Sequence, residues 1–307
     1  MNTKLMKYAV ELSNLGSSQK VANKFGVSRS AISRNIKRLE KELGTPLFIK
    51  LQDGIVPTRS GDTFLRYARQ ILNMEDDLRY NISSDGAYQG TVNIGMGTNR
   101  TLMILADIMP EFSKEYPRIS VRVHEMRTAD IIDALLSRQL DFAVVSKTMH
   151  TEGITFEPLL EEDLVMVTPE NNEFARSHSF QRDGRKYIRL GDFKDVPFIL
   201  GHTGQQSRSI AENIFKYEGF VPNVILRTEN CYAMAKMAEK GSAFALIPHS
   251  YTRLNGVKLE HYHIDCEVRT TWSVGITYVN KLELSRAAMQ LKGFILRKLK
   301  DSKDKSV

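Results

Sequence analysis

Ser28-Arg29-Ser30-Ala31-Ile32-Ser33-Arg34-Asn35-Ile36-Lys37-Arg38-Leu39-Glu40-Lys41-Glu42-Leu43 is the stretch on which the reading of this chain turns. At 3.6 residues per turn, Ala31, Ile32, Ile36, Leu39 and Leu43 form one inward stripe, and Arg29, Ser30, Ser33, Arg34, Lys37 and Lys41 face out. Ser28 is placed to cap the first turn with its hydroxyl, and Gly44 to end the helix. A helix with this basic, short-chained outer face fits its N-terminal half into a DNA major groove.

Upstream, Ser17 or Ser18 caps a segment over 19–25 in which Val21, Ala22 and Phe25 share one side, and Gly26-Val27 makes a tight turn. Together these elements predict a helix-turn-helix over about 18–37. A first helix over 3–14 would bury Leu5, Tyr8, Ala9 and Leu12. Downstream, the apolar runs 47–50 and 55–56 flank Asp53-Gly54, a hairpin signal that predicts a wing. The candidate DNA contacts are Ser28, Arg29, Ser30, Ser33, Arg34, Lys37, Arg38 and, from the wing, Lys50, with Arg59 beyond it. Phosphate contacts fix register and base contacts specify, so Lys50 is assigned to positioning.

Several motifs carry a resemblance: Leu5-x-x-Tyr8, Val27-Ser28, Ala31-Ile32-Ser33-Arg34, Leu39-Glu40, Glu42-Leu43-Gly44-x-Pro46-Leu47-Phe48 and Thr58-x-x-Gly61. With them, residues 4–72 resemble the N-terminal domain of LysR-type transcriptional regulators. That family commonly carries Gln-Pro where this chain has Arg29-Ser30, so contacts at that point do not transfer.

Charge is partitioned in the same sense. Residues 1–60 hold eleven Lys or Arg against four acids, whereas the other 247 residues are balanced at 32 of each, so the whole net charge of +7 sits on the segment with the helix-turn-helix. Phosphate neutralisation drives non-specific DNA affinity, and this is its expected footprint. The 307 residues suggest about two domains, with an ordinary globular composition of 42% hydrophobic and 26% charged residues. No signal-peptide or membrane-length apolar run is present, and the two cysteines, Cys231 and Cys266, are too few for a disulfide scaffold. A cytoplasmic protein without a membrane partner is expected.

Residues 60–82 predict a long helix with Phe64, Ala68, Ile71, Leu78 and Ile82 on an a/d seam broken at Glu75. Packing on its own domain is one use of that seam; the resemblance implies the other, a linker helix that pairs subunits. A dimer or a tetramer, reading an imperfect palindrome with two recognition helices, is therefore expected. Residues 83–90 read as a hinge.

From residue 91 strands and helices alternate. The order strand, helix, strand, helix, strand over 91–145 recurs over 198–247, an internal duplication that predicts two Rossmann-like α/β subdomains. Residues 164–167 would carry the chain across and 273–279 bring it back; a helix over 282–299 would close the fold, with disorder from Lys300. The resemblance continues through Phe112-x-x-x-Tyr116-Pro117, Leu140-Asp141-Phe142-Ala143 and Gly241-x-x-x-Ala245-Leu246-Ile247-Pro248. It implies an effector-binding domain similar to type 2 periplasmic solute-binding proteins. The expected architecture is a two-domain α+β chain: a winged helix-turn-helix over 1–59, a linker helix and hinge over 60–90, and an α/β effector domain over 91–300. Within the last, subdomain I takes 91–164 and 270–300, and subdomain II takes 165–269.

In each half the first strand ends in a glycine-containing polar loop that opens a helix, 95–101 and 201–207. Helix N-termini offer unpaired N–H groups and partial positive charge, so two such loops facing across a cleft form an anion site. Thr98, Asn99, Arg100, Thr101, Thr203, Gln205 and Ser207 line it from the loops, Ser146 and Lys147 add a hydroxyl and a countercharge, and Glu229-Asn230 border it. The expected effector is small and anionic.

Other signals are weaker. Gly95-x-Gly97-x-x-Arg100 lacks the third glycine of a dinucleotide fingerprint, and no P-loop, nucleophile elbow or paired-carboxylate arrangement is found, so neither a cofactor nor an enzymatic activity is expected. Cys231 at a helix start reads as a buried structural thiol rather than an oxidant sensor. His261 and His263 share a face of a possible strand, but no further ligand is close in sequence and no metal site is assigned. The sequence thus points to a sequence-specific transcriptional regulator controlled by an effector, with RNA polymerase as a possible partner. The rivals are a solute-binding or enzymatic α/β protein with an incidental basic N-terminus, and an architectural DNA binder whose second half only oligomerises.

Overall fold

The computed structural model describes residues 2–52, 54–82, 88–147, 151–253, 256–280 and 284–304. The head is α1 (Thr3–Leu15), α2 (Ser18–Phe25), α3 (Arg29–Leu43), β1 (Phe48–Leu51) and β2 (Gly54–Pro57). Ser17 caps α2, and Ser28 caps α3 by accepting from the Ala31 N–H at 3.1 Å. Gly26 takes φ of +65° in the turn between them, a conformation that suits glycine. Leu5, Tyr8, Leu12, Val21, Ala22, Ile32, Ile36 and Leu39 close one core, with the Tyr8 and Phe25 rings edge to face at 4.9 Å. Leu43, expected inside, is 39% exposed because the helix ends there and the chain turns away. Glu40 ties α3 to the wing: its carboxylate accepts from the Leu47 and Phe48 N–H groups at 2.8 and 3.1 Å. Gly54, expected in the wing's turn, instead pairs with Leu51 across the hairpin; Asp53 lies outside the described residues.

α4 (Arg59–Ile82) follows directly. Gly61 meets the wing so closely that a Cβ would stand 2.0 Å from the Leu47 carbonyl oxygen, and Thr58 clasps the joint by donating to Pro46 O at 2.8 Å and accepting from Gly61 N–H at 2.9 Å. The expected seam divides. Phe64 and Leu65 pack on the head's own core and Ala68 is buried, whereas Tyr67, Ile71, Met74 and Leu78 are exposed along one side. The Ile82 side chain and hinge residues 83–87 lie outside the described residues, and Gln89 and Gly90, also read as hinge, begin a strand.

The second domain runs β3 (Gln89–Met96), α5 (Thr98–Glu115), β4 (Arg118–Glu125), α6 (Thr128–Leu136), β5 (Phe142–Ser146), β6 (Ile154–Pro169), α7 (Glu173–Ser177), β7 (Ser179–Arg182), β8 (Arg185–Ile188), β9 (Pro197–Leu200), α8 (Gln206–Tyr217), β10 (Asn223–Arg227), α9 (Cys231–Glu239), β11 (Phe244–Pro248), β12 (Leu259–Ile264), β13 (Thr271–Val279) and α10 (Arg286–Asp304). The duplication is visible in the pairing. β3 lies between β4 and β5, and β9 between β10 and β11, all parallel; each trio is flanked by an antiparallel strand, β13 in the first half and β6 in the second. β6 serves both halves. It pairs with β13 through Asp163 and with β11 from Leu164, so a single sheet is continuous through the domain.

Parallel strands need cover on both faces. α5, α10 and α8 share one face and one core spanning both halves, including Phe112, Phe142, Phe198, Phe215 and Phe294. α6 and α9 cover the other face as two separate clusters. Two features depart from expectation: α10 continues to Asp304, past the Lys300 where order was expected to end, and the meander over 170–196 was not foreseen. The head touches the second domain through Glu11, which pairs with Lys24 at 2.5 Å and with Arg122 of β4 at 3.4 Å, and α4 reaches Asp141 through Asn73 at 3.5 Å.

Candidate DNA-contact face and effector cleft

On the head, Ser28, Arg29, Ser30, Arg34, Lys37, Arg38 and Lys50 are exposed, and Ser33 is half-buried. Ser28 is committed to its cap, and its hydroxyl lies 2.9 Å from that of Ser30. The helix face and the wing thus offer their cations to solvent, with Ile49, Leu51 and Val56 of the wing exposed beside them.

In the second domain the two polar loops converge on a single atom. The Asn99 amide donates to the Glu229 carbonyl oxygen at 2.5 Å, and the Gln205 amide donates to the same oxygen at 3.2 Å. Asn99 also accepts the Cys231 N–H at 3.0 Å, and Arg127 pairs with the Glu229 carboxylate at 3.3 Å. The halves therefore meet at the N-termini of α5 and α9. Asn230 caps α9 by accepting from Ala233 N–H at 3.0 Å, so that helix end is satisfied within the protein. The caps of α5 and α8, Gly97 and Gln205, make no side-chain capping bond, unlike Asn230 on α9.

Arg100, on the first turn of α5, donates to the Ser146 hydroxyl at 3.1 Å. Near it lies Glu162, a buried carboxylate that the sequence reading missed. Ser250 donates to it twice, from its N–H at 3.0 Å and its hydroxyl at 2.7 Å. Burial raises the Glu162 pKa, and the Ser250 bonds and the Arg100 charge oppose that rise. In the sequence it stands in the acidic run Glu161-Glu162-Asp163, immediately before the apolar stretch 164–167. Cys231 is buried, and burial pushes its thiol up to about 12, so it remains protonated and unreactive at neutral pH.

Of the other expected cleft residues, Thr101 is half-buried and bonds back to Gly97 O at 3.5 Å, and Ser207 is half-buried beside Gly201. Thr98, Thr203, Asn230 and Lys147 are exposed. The Lys147 backbone N–H continues the sheet to Ser273 O at 2.8 Å; Arg100 on the first turn of α5 and Arg208 on the first turn of α8 are half-buried.

Elsewhere, β12 sets His261 and His263 on one face as the sequence implied, and the turn His249–Arg253 brings His249 against them. One ring nitrogen from each of the three residues lies within 4.8 Å of those of the other two. His249, twelve residues before His261, is the neighbour that sequence spacing did not single out.

Residues 3–62 match the model of bacterial regulatory helix-turn-helix proteins of the lysR family, and residues 85–300 match the LysR substrate binding domain. The HTH-type transcriptional regulator YcgK of Bacillus subtilis is 24% identical over 264 residues, 82% of each chain. A full-length OxyR point variant from Pseudomonas aeruginosa superposes with a TM-score of 0.71 at 18% identity, covering 96% of this chain and 94% of the other. The effector binding domain of QuiR, in complex with shikimate, superposes with a TM-score of 0.56 at 20% identity, covering 69% of this chain and 98% of that domain. Together with the basic helix-turn-helix and the duplicated α/β domain, the matches to both family models show that the chain belongs to the LysR family of DNA-binding transcriptional regulators, not to an enzyme family.

Proposed function

We propose that the chain is a cytoplasmic regulator whose paired heads read an imperfect palindrome and whose output is set by a small anionic effector bound between the halves of the second domain. The observation that carries this reading is the convergence of Asn99 and Gln205 on the Glu229 carbonyl beside the uncapped first turns of α5 and α8, with Arg100 alongside. An anion there gains backbone N–H donors, a helix-dipole field and a guanidinium, each worth more in a partly desolvated cleft than in water. The shikimate carried by QuiR is a carboxylate of the same class. The exposed stripe Tyr67, Ile71, Met74 and Leu78 supports subunit pairing through α4.

Effector binding would redistribute two arrangements of the halves. The Asn73–Asp141 and Glu11–Arg122 contacts connect the second domain to α4 and to the head, and so to the spacing of the recognition helices and to polymerase contact. The direct test is thermal melting of the full-length protein against a panel of small carboxylates, shikimate included, and inorganic phosphate. At least one member should raise the melting temperature of the wild type in a concentration-dependent way, and Arg100→Ala should abolish that rise. A response retained in Arg100→Ala would place the effector elsewhere.

A further inference from the structure

We propose that His249, His261 and His263 form a binding site for one zinc-class divalent cation on the second half of the effector domain, with Asp163 as the carboxylate that orients His263. The site rests on the geometry of the three imidazoles and does not depend on the effector reading.

Strand periodicity accounts for two of the ligands. Residues two apart on β12 project to the same face, and β12 is held in register between β6 and β8, with His261 opposite Val167, and His263 opposite Val165 on one side and Tyr187 on the other. The third comes from the turn that follows β11, where His249 stands with its ring centroid 5.0 Å from that of His261 and 5.4 Å from that of His263. Ligand atoms of all three lie within 4.8 Å of one another. A tetrahedral ion with Zn–N bonds of about 2.1 Å holds its nitrogens roughly 3.4 Å apart, so ring rotations that move these nitrogens by about one ångström close the site.

Asp163 supplies the second observation. Its Oδ2 lies 2.7 Å from His263 Nδ1, which fixes the tautomer and leaves Nε2 of that ring to ligate. This is the carboxylate–histidine–metal arrangement by which proteins orient an imidazole and raise its basicity. The other oxygen, Asp163 Oδ1, is buried and makes no hydrogen bond, and a cation held on the far side of the His263 ring would interact favourably with that carboxylate.

The chemistry of the donor set selects the ion. Three neutral nitrogens with one open position suit zinc, cobalt, nickel or copper and do not suit magnesium or calcium, which require oxygen. Occupancy would staple the turn carrying Ser250, the residue that holds Glu162, to β12.

The test uses tag-free, chelator-stripped full-length protein titrated with zinc by calorimetry and with cobalt by visible absorption. Wild type should bind one equivalent per chain in the micromolar range or tighter, with the d–d bands of tetrahedral cobalt. His249→Gln and His261→Gln, at half-buried positions where folding is checked by circular dichroism, should each weaken binding at least 100-fold. Asp163→Asn should weaken it 10–100-fold. Cys231→Ser and Cys266→Ser should leave it unchanged. Only millimolar binding by wild type, or wild-type affinity in a folded His249→Gln/His261→Gln double variant, would overturn the assignment.

Discussion

The two halves of the effector domain repeat one order of strands and helices, yet they contribute different things to the cleft. The first half sends side chains across it: Asn99 reaches the Glu229 carbonyl and the Cys231 N–H, and Arg127 the Glu229 carboxylate, while Arg100 bonds Ser146 within its own half. The second half answers with backbone and with short returns, Gln205 folding onto the His202 N–H at 2.9 Å and onto Glu229 O at 3.2 Å. A duplicated fold thus supplies matched helix ends, and unmatched side chains on those ends decide which half reaches and which receives. The same contrast holds at the third strand of each unit, where Asp141 precedes β5 and Ala243 precedes β11.

The comparison breaks first if the halves are separable. Phe112 meets Phe294 edge to face at 5.4 Å in the first half, Phe198 meets Phe215 likewise at 5.5 Å in the second, and all four belong to one core. Phe112→Ala and Phe198→Ala should each cost about 3–5 kcal/mol. In denaturant, the effector domain should retain one cooperative transition in both variants. Two transitions, only one of them displaced, would show the halves to be independent despite the shared β6.

A smaller effect separates the halves by pH. Asp141 accepts from Asn93 N–H at 2.7 Å, but its burial raises the carboxyl from 3.8 to about 6. The folded chain therefore holds this proton more tightly than the unfolded chain. Stability from the group is complete below about pH 4 and is lost as pH rises through 6. Relative to Asp141→Asn, which keeps an acceptor for Asn93, the wild type should lose up to about 3 kcal/mol between pH 4 and pH 7 by denaturant unfolding. Parallel pH profiles for the two proteins would refute the buried charge. Ala243, the counterpart in the second half, carries no group that titrates.

The smallest effects sharpen the cleft itself. Asn99→Ala should destabilise by about 1–2 kcal/mol, because it removes a donor and leaves the Cys231 N–H without its acceptor, and Gln205→Ala by about 0.5–1 kcal/mol. Since both amides share one carbonyl oxygen, a double-mutant cycle should show coupling; strict additivity would mean that the loops act separately.

What was legible in the sequence follows the range of the interactions. The helix-turn-helix is built from contacts within a few turns, so Ser28, Ile32, Ile36 and Leu39 announced their roles through spacing alone. The duplication was legible because periodicity repeats, and Glu229 and Asn230 were placed beside the cleft by their position at a helix start. What joins the halves was not: Asn99 to Glu229, Glu162 to Ser250 and Asp163 to His263 link residues 130, 88 and 100 positions apart. The division of α4 escaped for a related reason. Phe64 and Ile71 look equivalent on a helical wheel, and only the placement of α1 and the wing shows that the head covers the first and leaves the second exposed.

Recognition of DNA by the α3 face is tested most directly by anisotropy with full-length protein and DNA from upstream of its own gene, across a salt series with random competitor. Wild type should bind tightly, resist competitor and weaken steeply with salt. Arg34→Ala, exposed and outside the core, should lose at least tenfold in affinity without a change in melting temperature. Equal affinity for random DNA, or unchanged operator affinity in Arg34→Ala at physiological salt, would contradict it.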